Sequence, residues 1–337
     1  MITEFDKPYK TYEEQIELMR SRNVSIPANA ERDAINALST FSYYTLMNGY
    51  KHTPISKDGR FIEGTTIYTL IDIHIADRAI KSLLLKNILH IETSFKTKLA
   101  HLIARDLGVF TNYDIKRNTD PKDYLSICHY RGKDNRWSTL MGLKEVIQNA
   151  EEGSSLHHYR ENKNHIPPWI LAREIVFYKA INWYRLLRQN AKEEISYQML
   201  CGNDTYIPFT KEERKEFFLN SLEMIRRYRN SVAHEGTSIS YIGKVQFPKQ
   251  LLFKMLSPLA LSENEYQEGI GKGDLFTVMT AIILLLGNDY LIGMFLANLG
   301  EIIKEYSTMN IFAGKTIFDI FGLPENLIDR LSYVVAK

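Results

Sequence analysis

Arg229, Asn230 and His234 lie within six consecutive residues, and their types are those that handle anions and protons. A guanidinium keeps its charge at any ordinary pH and can grip an oxyanion through two parallel N–H groups. An imidazole, with a reference pKa of about 6.5, gives or takes a proton near neutrality. A neighbouring amide can orient either partner. The chemistry available to the trio is acid–base work beside a bound anion, and it needs no metal.

One helix has to present them. Thr210 with Glu213 three residues on forms a capping box, and Gly236 followed by Thr237 supplies a stop, so Thr210 to Gly236 reads as a single helix. At about 100° per residue, Phe218, Leu222, Ile225 and Val232 fall in one apolar arc with Arg229 in its middle. An unpaired buried charge costs several kcal/mol, so Arg229 is expected to have a partner or a task. Arg226, Asn230 and His234 follow at intervals of four and line up as a polar ridge. Arg229 and His234 stand about 140° apart around the axis, so a second copy of the helix, related by two-fold symmetry, would bring such groups together. The competing reading makes Arg226, Arg227 and Arg229 helix-end cations that complement the dipole, with His234 capping the last turn.

The run Arg229-Asn230-Ser231-Val232-Ala233-His234 resembles the R-x4-6-H signature of HEPN-type ribonucleases. Its surroundings are similar to the bacterial Abi-like abortive-infection family, of the AbiD/AbiF type. The likeness runs from about residue 4 to about residue 240 through Lys7-Pro8, Thr11-Tyr12-Glu13-Glu14-Gln15-Ile16, Phe41-Ser42-Tyr43-Tyr44 with Leu46 and Tyr50, Ile91-Glu92, and Pro168-Trp169 with Glu174. The resemblance implies an all-α, HEPN-like helical bundle and a metal-independent endoribonuclease that halts growth of a phage-infected cell. It also implies control by a small non-coding RNA antitoxin. The RNA 2′-hydroxyl would be the nucleophile, Arg229 would hold the scissile phosphate, His234 would move the proton, and Asn230 would orient them. Arg226, Glu174 and Glu92 become supporting residues, and Glu174 or Glu92 would brace Arg229. No cofactor and no metal enter this scheme, and a homodimer is expected. The alternative is an RNA-binding or protein-binding module whose Arg/His pair does no chemistry.

Composition sets the limits. The chain has 337 residues, 45% of them hydrophobic, and a formal net charge of +2, so any RNA surface must come from local clustering. Such a cluster stands between residues 111 and 137, where Lys116, Arg117, Arg131, Lys133, Arg136 and Trp137 mix charge with aromatics in a way that suits single-stranded RNA; a solvated loop would need no ligand. Cys128 and Cys201 lack metal-ligand spacing, and the N-terminus lacks a secretory signal, which together point to the cytosol. His157, His158 and His165 have no carboxylate motif around them and read as surface groups.

The elements follow from periodicity. Residues 11–22 and 27–49 read as short helices on the periphery, with the tyrosines of the second partly buried and their hydroxyls at the edge. Residues 51–64 form a loop. Thr65 to Leu107 is one long helix, in which Glu92 and Lys96 form a surface ion pair or Glu92 turns to Arg229. Ser138 to Ala150 is helical. Pro168 opens a further helix with Trp169, Ala172, Val176, Phe177 and Ala180 as its buried stripe and Glu174 near Arg185. Ile239 to Phe247 is the best candidate for an extended strip. Leu275 to Leu299 is expected to be a buried hairpin broken at Gly287-Asn288-Asp289, not a membrane span. The domains drawn from this are 1–64, 65–240 and 241–337.

Overall fold

Apolar stripes at helical spacing, closed by threonine caps and glycines, become the helices of a computed structural model. It describes residues 7–337 apart from 52, 113–118, 133–134, 201–207, 234–235, 240, 308–312 and 336–337. The order is α1 (Tyr12–Ser21), α2 (Glu31–Phe41), the strands β1 (Ser56–Lys57) and β2 (Arg60–Phe61), α3 (Ile67–Leu107), α4 (Arg136–Gln148), α5 (Ser155–Asn162), α6 (Pro168–Glu174) and α7 (Phe177–Leu186). Then come α8 (Gln189–Leu200), α9 (Lys211–Ala233), α10 (Lys249–Met255), α11 (Glu263–Glu268), α12 (Leu275–Leu286), α13 (Asp289–Ser307), α14 (Ile317–Phe321) and α15 (Leu327–Val335). The fold is all-α, with one antiparallel hairpin of two residues a side among the described residues.

The molecule is built along α3. Thr66 and Thr69 cap its start reciprocally, and 41 residues later Gly108 closes it at φ 87°, a length of about 60 Å. It packs against α6, α7, α8, α9, α12 and α13. Phe95 of α3 meets the rings of Phe177, Tyr184 and Phe218 edge-on, at centroid separations of 6.2, 5.9 and 5.9 Å. These contacts fix α9 and α7 against the middle of α3. Every residue of α12 is buried, and this helix lies against α3, α8, α9 and α15. Gly287 ends it in the left-handed conformation and α13 returns, so the apolar segment is the expected hairpin. No described helix is long and apolar enough to cross a membrane.

Several expectations need correcting. The helix opened by Pro168 breaks at Ile175, which is extended (ψ 144°), and Val176 is extended too (ψ 155°). Of the expected buried stripe, Ala172, Phe177 and Ala180 are buried, whereas Trp169 and Val176 are 49% and 59% exposed. Lys96 Nζ satisfies the freed carbonyl of Ile175 at 2.5 Å. The second helical segment stops at Ser42 (φ 68°) before a single π-helical turn at Tyr44–Asn48. Residues 51–64 contain β1 and β2, turned by Asp58 and Gly59 at φ 52° and 77°, the backbone sign that a tight hairpin requires. The extended strip after α9 makes only one isolated bridge among the described residues, Ile242 with Asp274.

The long connection before α4 is anchored from inside. Lys144 and Asp123 are both fully buried and pair at 3.3 Å. Tyr124 and Tyr130 are buried too, their hydroxyls donating to the carbonyls of Ile166 and Tyr124 at 2.9 and 2.7 Å. These tyrosines belong to the core, whereas Trp137 of the expected RNA surface is 42% exposed.

At the other end of α3, buried His74 meets the Tyr50 hydroxyl at 2.9 Å through Nδ1 and the Phe41 ring at 4.7 Å. Burial, with Lys81 and Arg78 nearby, pushes its pKa down to about 4 from 6.5. The unfolded chain therefore takes up this proton first. The stability that neutral His74 contributes is fully present above pH 6.5 and is lost as the pH falls from 6.5 towards 4. Urea midpoints measured across that window are expected to fall more steeply with acid in the parent than in His74→Leu.

Candidate anion-binding site

α9 begins on the expected capping box: the backbone N–H of Thr210 donates to the Glu213 carboxylate at 2.9 Å, and Glu213 N donates to Thr210 Oγ1 at 3.3 Å. Its buried residues include Phe217, Phe218, Ser221, Leu222, Met224, Ile225, Tyr228 and Val232. Phe217, Met224 and Tyr228 widen the buried arc on one side, so its middle is about 60° away from Arg229 on ideal helical geometry. Arg229 is thus not in the centre of the stripe. It stands on the rim towards α3 with its side chain 36% exposed, and Tyr228 takes the deep position.

The buried member of the arginine's pair is a carboxylate. Glu92 of α3 is 8% exposed. Its Oε1 pairs with Lys96 Nζ at 2.7 Å, and Oε2, which makes no hydrogen bond, faces Arg229 Nε at 3.9 Å. Of the two carboxylates expected beside Arg229, Glu92 is the one that lies near it. Glu174 is exposed and lines a separate cleft with Glu145, Glu151 and Lys179. It does not reach Arg185, which pairs with Glu223 instead.

Glu223 is the residue that sequence reasoning missed. Also 8% exposed, it takes Arg185 Nη2 on Oε1 at 2.7 Å and Arg226 on Oε2 through Nε and Nη2 at 2.9 and 2.8 Å, with Arg227 Nε at 4.0 Å. The signal was its spacing of three and four residues before Arg226 and Arg227. Arg226 is held flat over the Tyr178 ring at 5.3 Å, so its part is to build the ridge. Across the two clusters, five cations (Lys96, Arg185, Arg226, Arg227 and Arg229) share two carboxylates. The surplus is positive. It is exposed at Arg227, Arg185 and Arg229, which are 47%, 39% and 36% open. Among the described residues Arg229 makes one hydrogen bond, from Nη1 to Asn230 Oδ1 at 3.4 Å, and Asn230 is exposed.

The chain beyond α9 is fastened to α3. Lys81 Nζ donates to the Gly236 carbonyl at 2.8 Å and pairs with Asp77 Oδ2 at 2.7 Å; Asp77 Oδ1 accepts from Ser238 N at 2.8 Å. The Ser238 hydroxyl meets that of Tyr228 at 2.5 Å. Burial raises the Asp77 carboxyl, and Lys81 and the Ser238 amide pull the other way. The backbone is also tight here, because a Cβ on Gly236 would lie 2.5 Å from the Ser231 carbonyl oxygen. His234 lies between these fixed points and outside the described residues, as do Lys116, Arg117 and Lys133.

Arg131 is exposed, and Arg136 points back to the Tyr130 carbonyl at 3.0 Å. No group of three or more His, Cys, Asp or Glu among the described residues is arranged to hold a metal ion.

A partly exposed guanidinium set in surplus positive charge, with a buried carboxylate beside it, is suited to an oxyanion such as a phosphodiester. Neither the curated proteins nor the solved structures give a match to the chain. A family model described as Abi-like protein matches residues 36–239, well over half of the chain and inclusive of Glu92, Glu223 and Arg229. That span runs from α2 to just beyond α9, and by it the chain belongs to the Abi-like protein family.

Proposed function

We propose that this protein is a metal-independent endoribonuclease acting in abortive-infection defence, with Arg229 and His234 at its centre. The family supports the part in phage defence. The chemistry rests chiefly on one observation: Arg229, its side chain 36% exposed, pairs through Nε with the buried Glu92 at 3.9 Å in a cluster where cations outnumber carboxylates. A guanidinium held in that way can hold a phosphodiester through two N–H groups and take up the charge that builds as the 2′-oxygen attacks phosphorus. His234 takes the hydroxyl proton or returns one to the departing 5′-oxygen, and Asn230, on the same ridge, orients it. No metal is needed, since the nucleophile belongs to the substrate. A small non-coding RNA is the proposed antitoxin, and the cytosol the proposed place of action.

A dimer completes the proposal. Leu89 (52% exposed) and Trp169 (49% exposed) line the same groove as Glu92, between α3 and α6, so an apolar surface adjoins the arginine site. A second copy laid on it would bring two motifs together and supply one histidine as base and another as acid. The same surface also favours the alternative, a protein-binding module with no chemistry of its own.

Arg229→Ala and His234→Ala are each expected to lower RNA cleavage by about 100- to 1000-fold. Arg229→Lys should restore little, because an ammonium lacks the fork. Glu92→Gln should cost up to about 100-fold through misplacement of Arg229. If both alanine variants fold and cleave like the parent, the enzyme reading fails and the binding module stands. Light scattering should give a dimer that Trp169→Glu converts to a monomer, and a monomeric, fully active parent would remove the two-histidine scheme.

A further inference from the structure

The motifs near the N-terminus have no part in the arginine site, yet they converge in space. Lys7, Pro8 and Lys10 before α1, Tyr12 and Gln15 on α1, and Ser42 to Tyr44 after α2 line one cleft of about 830 Å³. It is the size of a small-molecule or nucleotide site. Arg22 lines it as well, and no carboxylate does among the described residues. Lys7, Lys10 and Arg22 make no ion pair with any described residue, in contrast to Arg20 two residues earlier, which is held by Glu17 and Glu31. Three cations without a described ion-pair partner on a concave surface raise the local concentration of anions.

The other walls narrow its identity. Tyr44 and Tyr12 are 68% and 42% exposed, large flat rings left in water at the edges of a basic cleft. Tyr43, between them and the core, has a buried hydroxyl with no hydrogen-bond partner, a cost that a polar ligand would relieve. Tyr44 stands at a turn of the backbone: Ser42 takes φ 68° and its hydroxyl accepts from Thr45 N at 3.2 Å, where the chain passes from α2 into the π-helical turn. Cations alone would suit an acidic peptide. Cations alternating with exposed rings suit phosphates alternating with bases.

We propose that the cleft between α1 and the end of α2 binds single-stranded nucleic acid, with Lys7, Lys10 and Arg22 on phosphates and Tyr12 and Tyr44 stacked on bases. The site is separate from the arginine centre. Phe41, at the end of α2, packs on His74 of α3, whereas Arg229 faces Glu92, and eighteen residues of helix span about 27 Å. A duplex would hide its bases from the tyrosines, so an unpaired strand is the occupant. The proposal does not depend on the nuclease reading.

The test is fluorescence anisotropy on the full chain in an Arg229→Ala background, which keeps the probe intact and silences the other site. The probe is a labelled mixed-sequence RNA 12-mer, with a DNA 12-mer and a labelled ten-residue polyglutamate as comparisons. Lys10→Glu with Arg22→Glu should weaken RNA binding at least tenfold and lower the salt slope by about 1.4, the value for two phosphate contacts on a single strand. Tyr44→Ala should weaken it by roughly five- to 150-fold with little change in that slope. Equal binding of the DNA probe supports a generic single-strand site, and preference for RNA assigns readout of the 2′-hydroxyl. Should the double charge reversal fail to fold, Lys7→Glu and Tyr44→Ala, both at exposed positions, carry the test. RNA binding unchanged in the folded variants overturns the proposal, and so does polyglutamate binding that depends on the same residues where RNA does not bind.

Discussion

The arrangement depends on two carboxylates buried where cations outnumber them. Glu223 and Glu92 are each 8% exposed, and each is tolerable in that position because guanidinium or ammonium groups are packed against it. Removing the partners would leave a buried charge that costs several kcal/mol. The dependence runs the other way for the arginines. A surface guanidinium spends most of its time in water with many rotamers, and ordering it costs up to about 2 kcal/mol of side-chain entropy. Here that cost is met by the fold, since α9 must sit where Glu92 can reach Arg229. Any ligand then meets a pre-set cation.

That geometry traces back to α3. Glu92 and Lys96 stand beside Phe95, whose ring locks α7 and α9 in place. Four turns earlier, Asp77 and Lys81 hold the chain as it leaves α9. The two ends of the motif segment are thus tied to one rigid rod, Arg229 through Glu92 and Gly236 and Ser238 through Lys81 and Asp77. A long helix serves this purpose because positions fifteen residues apart keep their relation with no intervening loop.

The helices were legible because their signals are local. The capping box at Thr210 and the apolar stripe of α3 act over four to seven residues. The break at Ile175 was not legible, since nothing in Glu174-Ile175-Val176 forbids a helix; what stabilises the break is Lys96, 79 positions away, donating to the freed carbonyl. Glu223 had a local signal in its spacing to Arg226 and Arg227, and Glu92 had one to Lys96. Their burial had none, because it depends on which faces of α3, α7 and α9 meet. The same limit misplaced Arg229: an arc defined by four aliphatic and aromatic positions ignored Phe217 and Tyr228, which shift the buried face away from it. Family resemblance singled out the arginine as a site candidate, while periodicity misjudged its surroundings.

The central claim is that Arg229 grips a phosphodiester whose own 2′-hydroxyl attacks. End-group analysis of RNA cleaved by the purified protein in excess EDTA tests it most directly. The account predicts undiminished cleavage that leaves 2′,3′-cyclic phosphate and 5′-hydroxyl ends. Cleavage abolished by the chelator, or fragments carrying 5′-phosphates, would contradict it.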